Sequence, residues 1–166
     1  MRIGVPKEIK VHEYRVGLTP ASVRELTRRG HAVVVETGAG QGIGVDDAAY
    51  RGVGATIANT ADEVFASADL IVKVKEPQAV ERKRLRPGQT LFTYLHLAPD
   101  PEQAQDLLDS GATCIAYETV TSAAGGLPLL QPMSEAPGRM SIQAGARALE
   151  REAKAVQLYD SLIKLA

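Results

Sequence analysis

Four short strings hold the side chains best suited to chemistry. "KVHEYRVGLTP" carries Arg15, "KVKEP" carries Lys73 and Lys75, "TYLHLAP" carries His96, and "LLQPMSE" carries Met133 and Ser134. A guanidinium can grip a carboxylate with two parallel hydrogen bonds. An ammonium can set positive charge against a carbonyl oxygen. An imidazole titrates near neutral pH and can shuttle a proton. Arg15, Lys75 and His96 together suit a small anion bearing a carbonyl. Singly, each reads as ordinary: a surface Arg, a surface Lys, a hydrogen-bonded loop His. Taken together, just past three strand ends, the ordinary and the functional readings balance.

The elements that must position them alternate along the chain. "RIGVP", "HAVVVE", "ATIA", "DLIVKVK", "QTLFTYLHL" and "ATCIAYETV" have the short apolar runs of buried strands. Between them lie helical segments. "TPASVRELTRRG" has Thr19 as cap, Pro20 in the first turn and Gly30 as stop. "DDAAYRGVG" is a short helix, and "TADEVFASA" opens on a capping box of Thr60 and Glu63. "QAVERKRLRPG" and "DPEQAQDLLDSG" complete the set. The alternation predicts an α/β fold: a Rossmann-like, doubly wound, mainly parallel sheet with helices on both faces. In such a sheet ligands bind beyond the carboxyl ends of the strands, which is where Arg15, Lys75 and His96 fall.

The chain of 166 residues is 45% apolar with a net charge of -1, an ordinary globular profile. Nucleic acid is excluded as the main partner, because phosphate binding needs a concentrated basic face. The one basic run, "ERKRLR" over 81–86, reads as a solvated helix face. No apolar run reaches the length of a membrane span, and the first ten residues have no signal-peptide core. The single cysteine, Cys114, permits no intrachain disulfide and reads as an inert thiol in a buried strand. A reducing cytoplasm fits these features. No set of metal ligands stands out.

"VVVETGAGQGIG", Val33 to Gly44, has the look of a dinucleotide loop, a β-branched run feeding glycines. The fingerprint requires G-x-G-x-x-G opening a helix. After Gly38 and Gly40 the third position is Ile43, and the helix that follows begins with two acids, which repel a pyrophosphate. Asp62, at the distance of a ribose-binding acid, opens a helix instead of ending a strand. The stretch therefore reads as a tight structural turn.

From Met1 to about Leu149 the sequence resembles alanine dehydrogenase, through "MRIGVPKEIK", E-x-RV-x-LTP, "ETGAGQGIG", "KVKEP", "TYLHLA", "AYETV" and "LPLLQPMSE", in the family's order. The NAD-binding part of proton-translocating transhydrogenase shares the opening and the "GAG" loop but lacks the histidine string, so His96 points to the alanine enzyme. The family interconverts L-alanine with pyruvate and ammonia using NAD. By resemblance, Arg15 binds the substrate carboxylate and Lys75 polarises the substrate oxygen. His96 is the acid-base or orienting group beside it. Met133 packs against the substrate, and Ser134 touches the cofactor. Fixed cations suit an intermediate that carries negative charge on oxygen.

The family's NAD fingerprint lies in a second domain. Too few residues follow Ser134 to form one, since each crossover unit takes about 30 residues. The resemblance thus implies residues 1–136 as a substrate-binding domain and no cofactor site in this chain. Residues 137–166 form a long terminal helix, along which the family match is lost after about 149. Pro137 departs from the family's small apolar residues and reads as a tolerated proline in the first turn. From Arg139 onward, polar and apolar positions alternate at helical spacing, and the wide apolar stripe needs cover from its own sheet or from the same helix of another chain. The reading is the substrate half of an alanine dehydrogenase, excised or designed as a minimal domain and inactive alone, with pyruvate or L-alanine as its small-molecule partner. The alternative is a structural module on a vestigial pocket, a homo-oligomer through the terminal helix.

Overall fold

Six short strands run parallel in the order β3-β2-β1-β4-β5-β6, in a computed structural model that describes residues 1–150. The strands are β1 (Arg2–Val5), β2 (Ala32–Glu36), β3 (Thr56–Ala58), β4 (Leu70–Val72), β5 (Thr90–Thr93) and β6 (Thr113–Ala116). The helices are α1 (Pro20–Arg28), α2 (Asp47–Gly52), α3 (Ala61–Ser67), α4 (Ala79–Arg82), α5 (Pro101–Ser110) and α6 (Gln131–Ala148). The chain divides into two compact units, Met1–Thr119 with the whole sheet and Val120–Ala166. The expected doubly wound α/β architecture is present, and every pairing is parallel.

The two-residue period of the strands divides their side chains between two cores. Ile3, Val5, Val33, Val35 and Val72 join Val23 and Tyr50, and with them α1 and α2, on one face. Ile71 and Leu91 join Val64, Phe65 and Leu107, from α3 and α5, on the other. Gly4 sits on the second face, where an added Cβ would lie 2.8 Å from both Ala68 Cβ and Val64 Cγ1. The absence of a side chain there lets α3 lie close on the strand.

Helix starts follow local chemistry. Thr19, Asp46, Thr60 and Asp100 each accept a backbone N–H in the first turn. The expected reciprocal box at Thr60 is shifted by one residue: Glu63 accepts from Asn59 N at 2.8 Å, not from Thr60. Strands β4 and β5 end at Val72 and Thr93, earlier than the apolar runs suggest, although Lys73 N and Tyr94 N still donate across to Phe92 O and Val74 O.

The run "ERKRLR" corrects the expectation of a solvated face in part: Lys83 and Arg86 are exposed, but the rest of the run is not. Glu81 and Arg82 are buried, and Arg82 Nε donates to Asp106 at 2.6 Å, tying α4 to α5. Arg84 pairs with Asp62, and Arg86 donates to Ala68 O at 2.8 Å. The charges persist at these positions because each has a fixed partner. Cys114 is only half-buried, because β6 is an edge strand, and burial still pushes its thiol up, away from the reactive thiolate.

In the second unit, α6 begins at Gln131, so Pro137 stands inside the helix and not in its first turn. Its ring removes the hydrogen bond that Met133 O would accept. The helix closes at Ala148 with Leu149 as cap, and no residue of it is buried. The apolar stripe expected over 156–166 lies outside the described residues. Among the described residues, no helix is long and apolar enough to cross a membrane.

Gly4→Ala should lower stability by about 1–3 kcal/mol through overpacking against α3. Urea unfolding of the 166-residue chain measures it; an unchanged midpoint would show that α3 yields freely.

Candidate functional site

The order of the sheet places its switch point between β1 and β4, where the chain leaves in opposite directions on the two sides. The centre of this crevice is filled by an ion cluster. Lys73, directly after β4, is fully buried, and its Nζ donates to Glu8 Oε2 at 3.0 Å and Glu81 Oε1 at 2.7 Å. The second oxygen of Glu8 accepts Val74 N at 2.6 Å, and the second oxygen of Glu81 accepts Gln78 N at 2.8 Å. Both carboxylates are thereby used at each end. Burial pushes the Glu8 carboxyl above its ordinary value of 4.5, and the ammonium of Lys73 opposes that rise.

Of the three cationic or titratable side chains, Lys75 and His96 come just past a strand end, while Arg15 stands farther along the chain than the sequence suggests. Arg15 lies in the long loop after β1, and its Nε and Nη2 donate to Glu13 Oε1 and Oε2 at 2.8 and 2.6 Å. The Arg15 backbone N also donates to Glu13 Oε1, at 2.9 Å. This fork holds the Glu13 carboxyl below its ordinary range, against a smaller opposing effect of burial. Lys75 follows β4 by three residues, adds to the positive field at Glu13, and lies 3.6 Å from Glu76, which also pairs with Lys10. Glu13 thus pairs with Arg15 and feels the charge of Lys75 as well.

His96 follows β5 by three residues and is exposed, with a left-handed backbone at φ 48°. A histidine rarely rests there without support. Glu118, in the short 3₁₀ turn Tyr117–Thr119 after β6, supplies it. Its Oε1 accepts Leu95 N at 3.0 Å and His96 N at 2.6 Å. Glu118 also faces Tyr94, whose hydroxyl is raised mainly by burial, raised further by Glu118 and lowered by Arg15. Tyr117 braces the group edge-on, with ring centroids 4.3 Å from Phe92 and 5.0 Å from Tyr94. Arg15 and Lys75 therefore both act electrostatically on Glu13, and Arg15 and Glu118 act with opposite sign on Tyr94.

A cavity of about 300 Å³ opens beside this group, lined by Lys7, Glu8, Glu13, Arg15 and the glycine loop. Met133 and Ser134 stand in the second unit, in the first turn of α6; Met133 is exposed and Ser134 Oγ donates to Leu130 O at 3.4 Å. Sequence reasoning missed Glu8, Glu13, Glu81, Tyr94 and Glu118. One signal was available: Lys73 directly follows the buried strand residues Ile71 and Val72, so it requires a carboxylate partner.

The glycine loop does not fit a dinucleotide. Gly38 N already donates to Asp47 Oδ1 at 2.9 Å, and α2 is capped by Asp46. A Cβ on Gly42 would lie 2.1 Å from Tyr14 O, so the space beside it is filled by the protein's own backbone. Among the described residues, no three His, Cys, Asp or Glu side chains converge to hold a metal ion.

Replacing Lys73 by Met should strand two buried carboxylates and cost about 3–5 kcal/mol. Glu8→Gln should cost less and flatten the acid side of the stability profile. With the folded value of Glu8 raised, its contribution is full below 4.5 and is lost as pH rises through the folded value. Denaturant midpoints across pH 3 to 8 test both; equal stability of Lys73→Met and the parent would remove the cluster's importance.

The model of the family described as "Alanine dehydrogenase/PNT, N-terminal domain" matches residues 4–136. Over 151 residues the chain is 58% identical to an alanine dehydrogenase of Halomonas elongata, covering 91% of this chain and 41% of that protein. It is 54% identical over 151 residues to an alanine dehydrogenase of Bacillus subtilis, covering 91% and 39%. The fold superposes on a solved L-alanine dehydrogenase with a TM-score of 0.86 and 51% identity, over 92% of this chain and 42% of that one. A transhydrogenase from Sinorhizobium meliloti gives a TM-score of 0.67 and 32% identity, over 71% and 35%. The chain thus spans about two fifths of the length of its alanine dehydrogenase relatives. With the parallel sheet, the switch-point cluster and the family match over the same residues, the chain belongs to the alanine dehydrogenase/PNT N-terminal domain family.

Proposed function

We propose that the carboxyl edge of this sheet binds a small 2-oxo or 2-amino acid, pyruvate or L-alanine, as the substrate side of an alanine dehydrogenase. The observation that carries this reading is that Arg15 is held in a fork by Glu13, a carboxylate that also feels the charge of Lys75, while Glu118 holds the His96 turn, in a chain of this family. Arg15 takes the substrate carboxylate, and its fork with Glu13 holds the guanidinium in place before the ligand arrives. Lys75 sets its ammonium toward the carbonyl oxygen, where negative charge grows as the carbonyl carbon is attacked. His96 serves as the acid-base or orienting group on an exposed turn. A cytoplasmic setting suits the free thiol and the small, diffusible substrate.

NAD belongs to the parent reaction as the family resemblance describes it, and the glycine loop offers no seat for it. The isolated chain is therefore catalytically incomplete on this reading. Binding without turnover is what it should show, and weakly, since the Arg15 and His96 side chains are open to solvent.

Titrating pyruvate into the chain at millimolar concentration should shift the ring resonances of His96, separable from the other two of its three histidines by a His96→Asn control. Arg15→Gln should abolish the shift. An unmoved His96 overturns the site assignment. Steady NADH oxidation with pyruvate and ammonia by the pure chain would overturn its incompleteness.

A further inference from the structure

The glycine loop between β2 and α2 is the one conspicuous motif that the proposed site leaves without a task. Its contacts identify one. Gly42 is exposed on one side, and on the other its α-carbon presses against Tyr14, where a Cβ would lie 2.1 Å from the carbonyl oxygen, 2.8 Å from the carbonyl carbon and 2.9 Å from Cα. These are backbone atoms, so they cannot turn aside as a side chain would. The peptide group pressed is the one shared by Tyr14 and Arg15. Its nitrogen is the Arg15 N–H that donates to Glu13 Oε1. Displacing that carbonyl moves the Arg15 backbone directly.

Two further contacts fix the same segment. Gly17 lies flat on β4, with a Cβ position 2.4 Å from Val72 O. Leu18 O accepts the buried Tyr50 hydroxyl at 2.9 Å. The segment from Tyr14 to Leu18 is therefore clamped between the glycine loop, the end of β4 and α2. Gly42 needs no unusual backbone: its φ is not in the left-handed region, unlike Gly38, Gly44 and others. Glycine is required there for closeness alone.

We propose that Gly42 is a positioning residue for Arg15, and that the glycine loop is the backing against which the carboxylate-binding guanidinium and its Glu13 fork are set. The proposal rests on the reading of Arg15 as the substrate-carboxylate residue, and its first test is independent of that reading.

The test compares the 166-residue chain with Gly42→Ala and Gly44→Ala, each first shown to be folded by its amide spectrum. Gly44 is the matched control: its φ is 74° and nothing lies within 4 Å of an added Cβ. Alanine there strains the loop without touching Tyr14. Carbon-detected titration of the Glu13 carboxyl reports the fork, since the hydrogen bonds from Arg15 depress that group. In Gly42→Ala the Glu13 midpoint should move up toward the ordinary carboxylate range. Pyruvate affinity should fall about tenfold or more, as expected when a binding group is misplaced by an ångström. In Gly44→Ala both should stay at the parent values while thermal stability drops.

A folded Gly42→Ala with an unmoved Glu13 midpoint overturns the proposal, as does an equal shift in Gly44→Ala. A shifted Glu13 midpoint together with unchanged pyruvate binding in Arg15→Gln upholds the positioning role and instead overturns Arg15 as the substrate residue. If Gly42→Ala does not fold, the parent chain is read instead: nuclear Overhauser contacts between the Gly42 α-protons and the Tyr14 α-proton are expected from the close approach, and their absence overturns the proposal.

Discussion

A lysine ammonium buried at the switch point of the sheet is the constraint on which the rest of the site depends. Taking such a charge out of water costs several kcal/mol unless well-aligned partners replace the lost solvation. Lys73 finds two carboxylates, Glu8 from the loop after β1 and Glu81 from α4. Satisfying the ammonium therefore fixes where two separate segments cross the end of β4. Glu8 then uses its other oxygen on Val74 N, fixing the backbone at which the chain leaves the sheet, one residue before Lys75. The position of Lys75 follows from the burial of Lys73.

The outer layer of the site is organised by the same logic in a wetter setting. Each cation there has an acid beside it: Glu13 for Arg15 and Glu76 for Lys75. These pairs are partly exposed, so their value is geometric more than energetic. A guanidinium already held in a fork has little rotamer freedom left to lose when a ligand carboxylate arrives. Glu118 does for the His96 backbone what Glu8 does for Val74, accepting main-chain N–H groups where the chain turns away from its strand. Acidic side chains thus shape the backbone on both sides of the switch point, while Arg15 and Lys75, unlike the buried Lys73, remain open to solvent.

The architecture was legible because it rests on periodicity. The alternation of β-branched runs with capped helical segments places the six strands of the described residues and helices α1 to α5, and the capping threonines Thr19 and Thr60 mark where two of those helices begin. Lys75 and His96 were legible as candidates for a related reason: each lies just past a strand end, while Arg15 sits deeper in the long loop after β1. The partners supplied from a distance were not, because Glu8 lies 65 residues from Lys73 and Glu118 lies 22 from His96, and such pairings leave no local pattern. "ERKRLR" shows the same blindness. A run of charge looks solvated until tertiary structure supplies Lys73 for Glu81 and Asp106 for Arg82. Pro137 was placed wrongly because α6 begins before the proline, in a stretch whose own prolines and glycines suggest a loop.

The glycine loop shows how one physical property supports two unrelated readings. A dinucleotide fingerprint uses glycine so that backbone can approach a pyrophosphate closely. Here glycine also permits close approach, but what approaches is the protein's own Tyr14 carbonyl. The difference lies in what the neighbouring groups leave available. In a phosphate site the amide hydrogens of the loop and the following helix must be open to the anion. In this loop Gly38 N is taken by Asp47, and the first turn of α2 is taken by Asp46. Internal carboxylates occupy the positions an anionic ligand would need, so the motif is closed to phosphate by the same acids that stabilise its fold. In the positioning role proposed for Gly42, the motif's glycines would act on a ligand only indirectly, through the placement of the loop that carries Arg15.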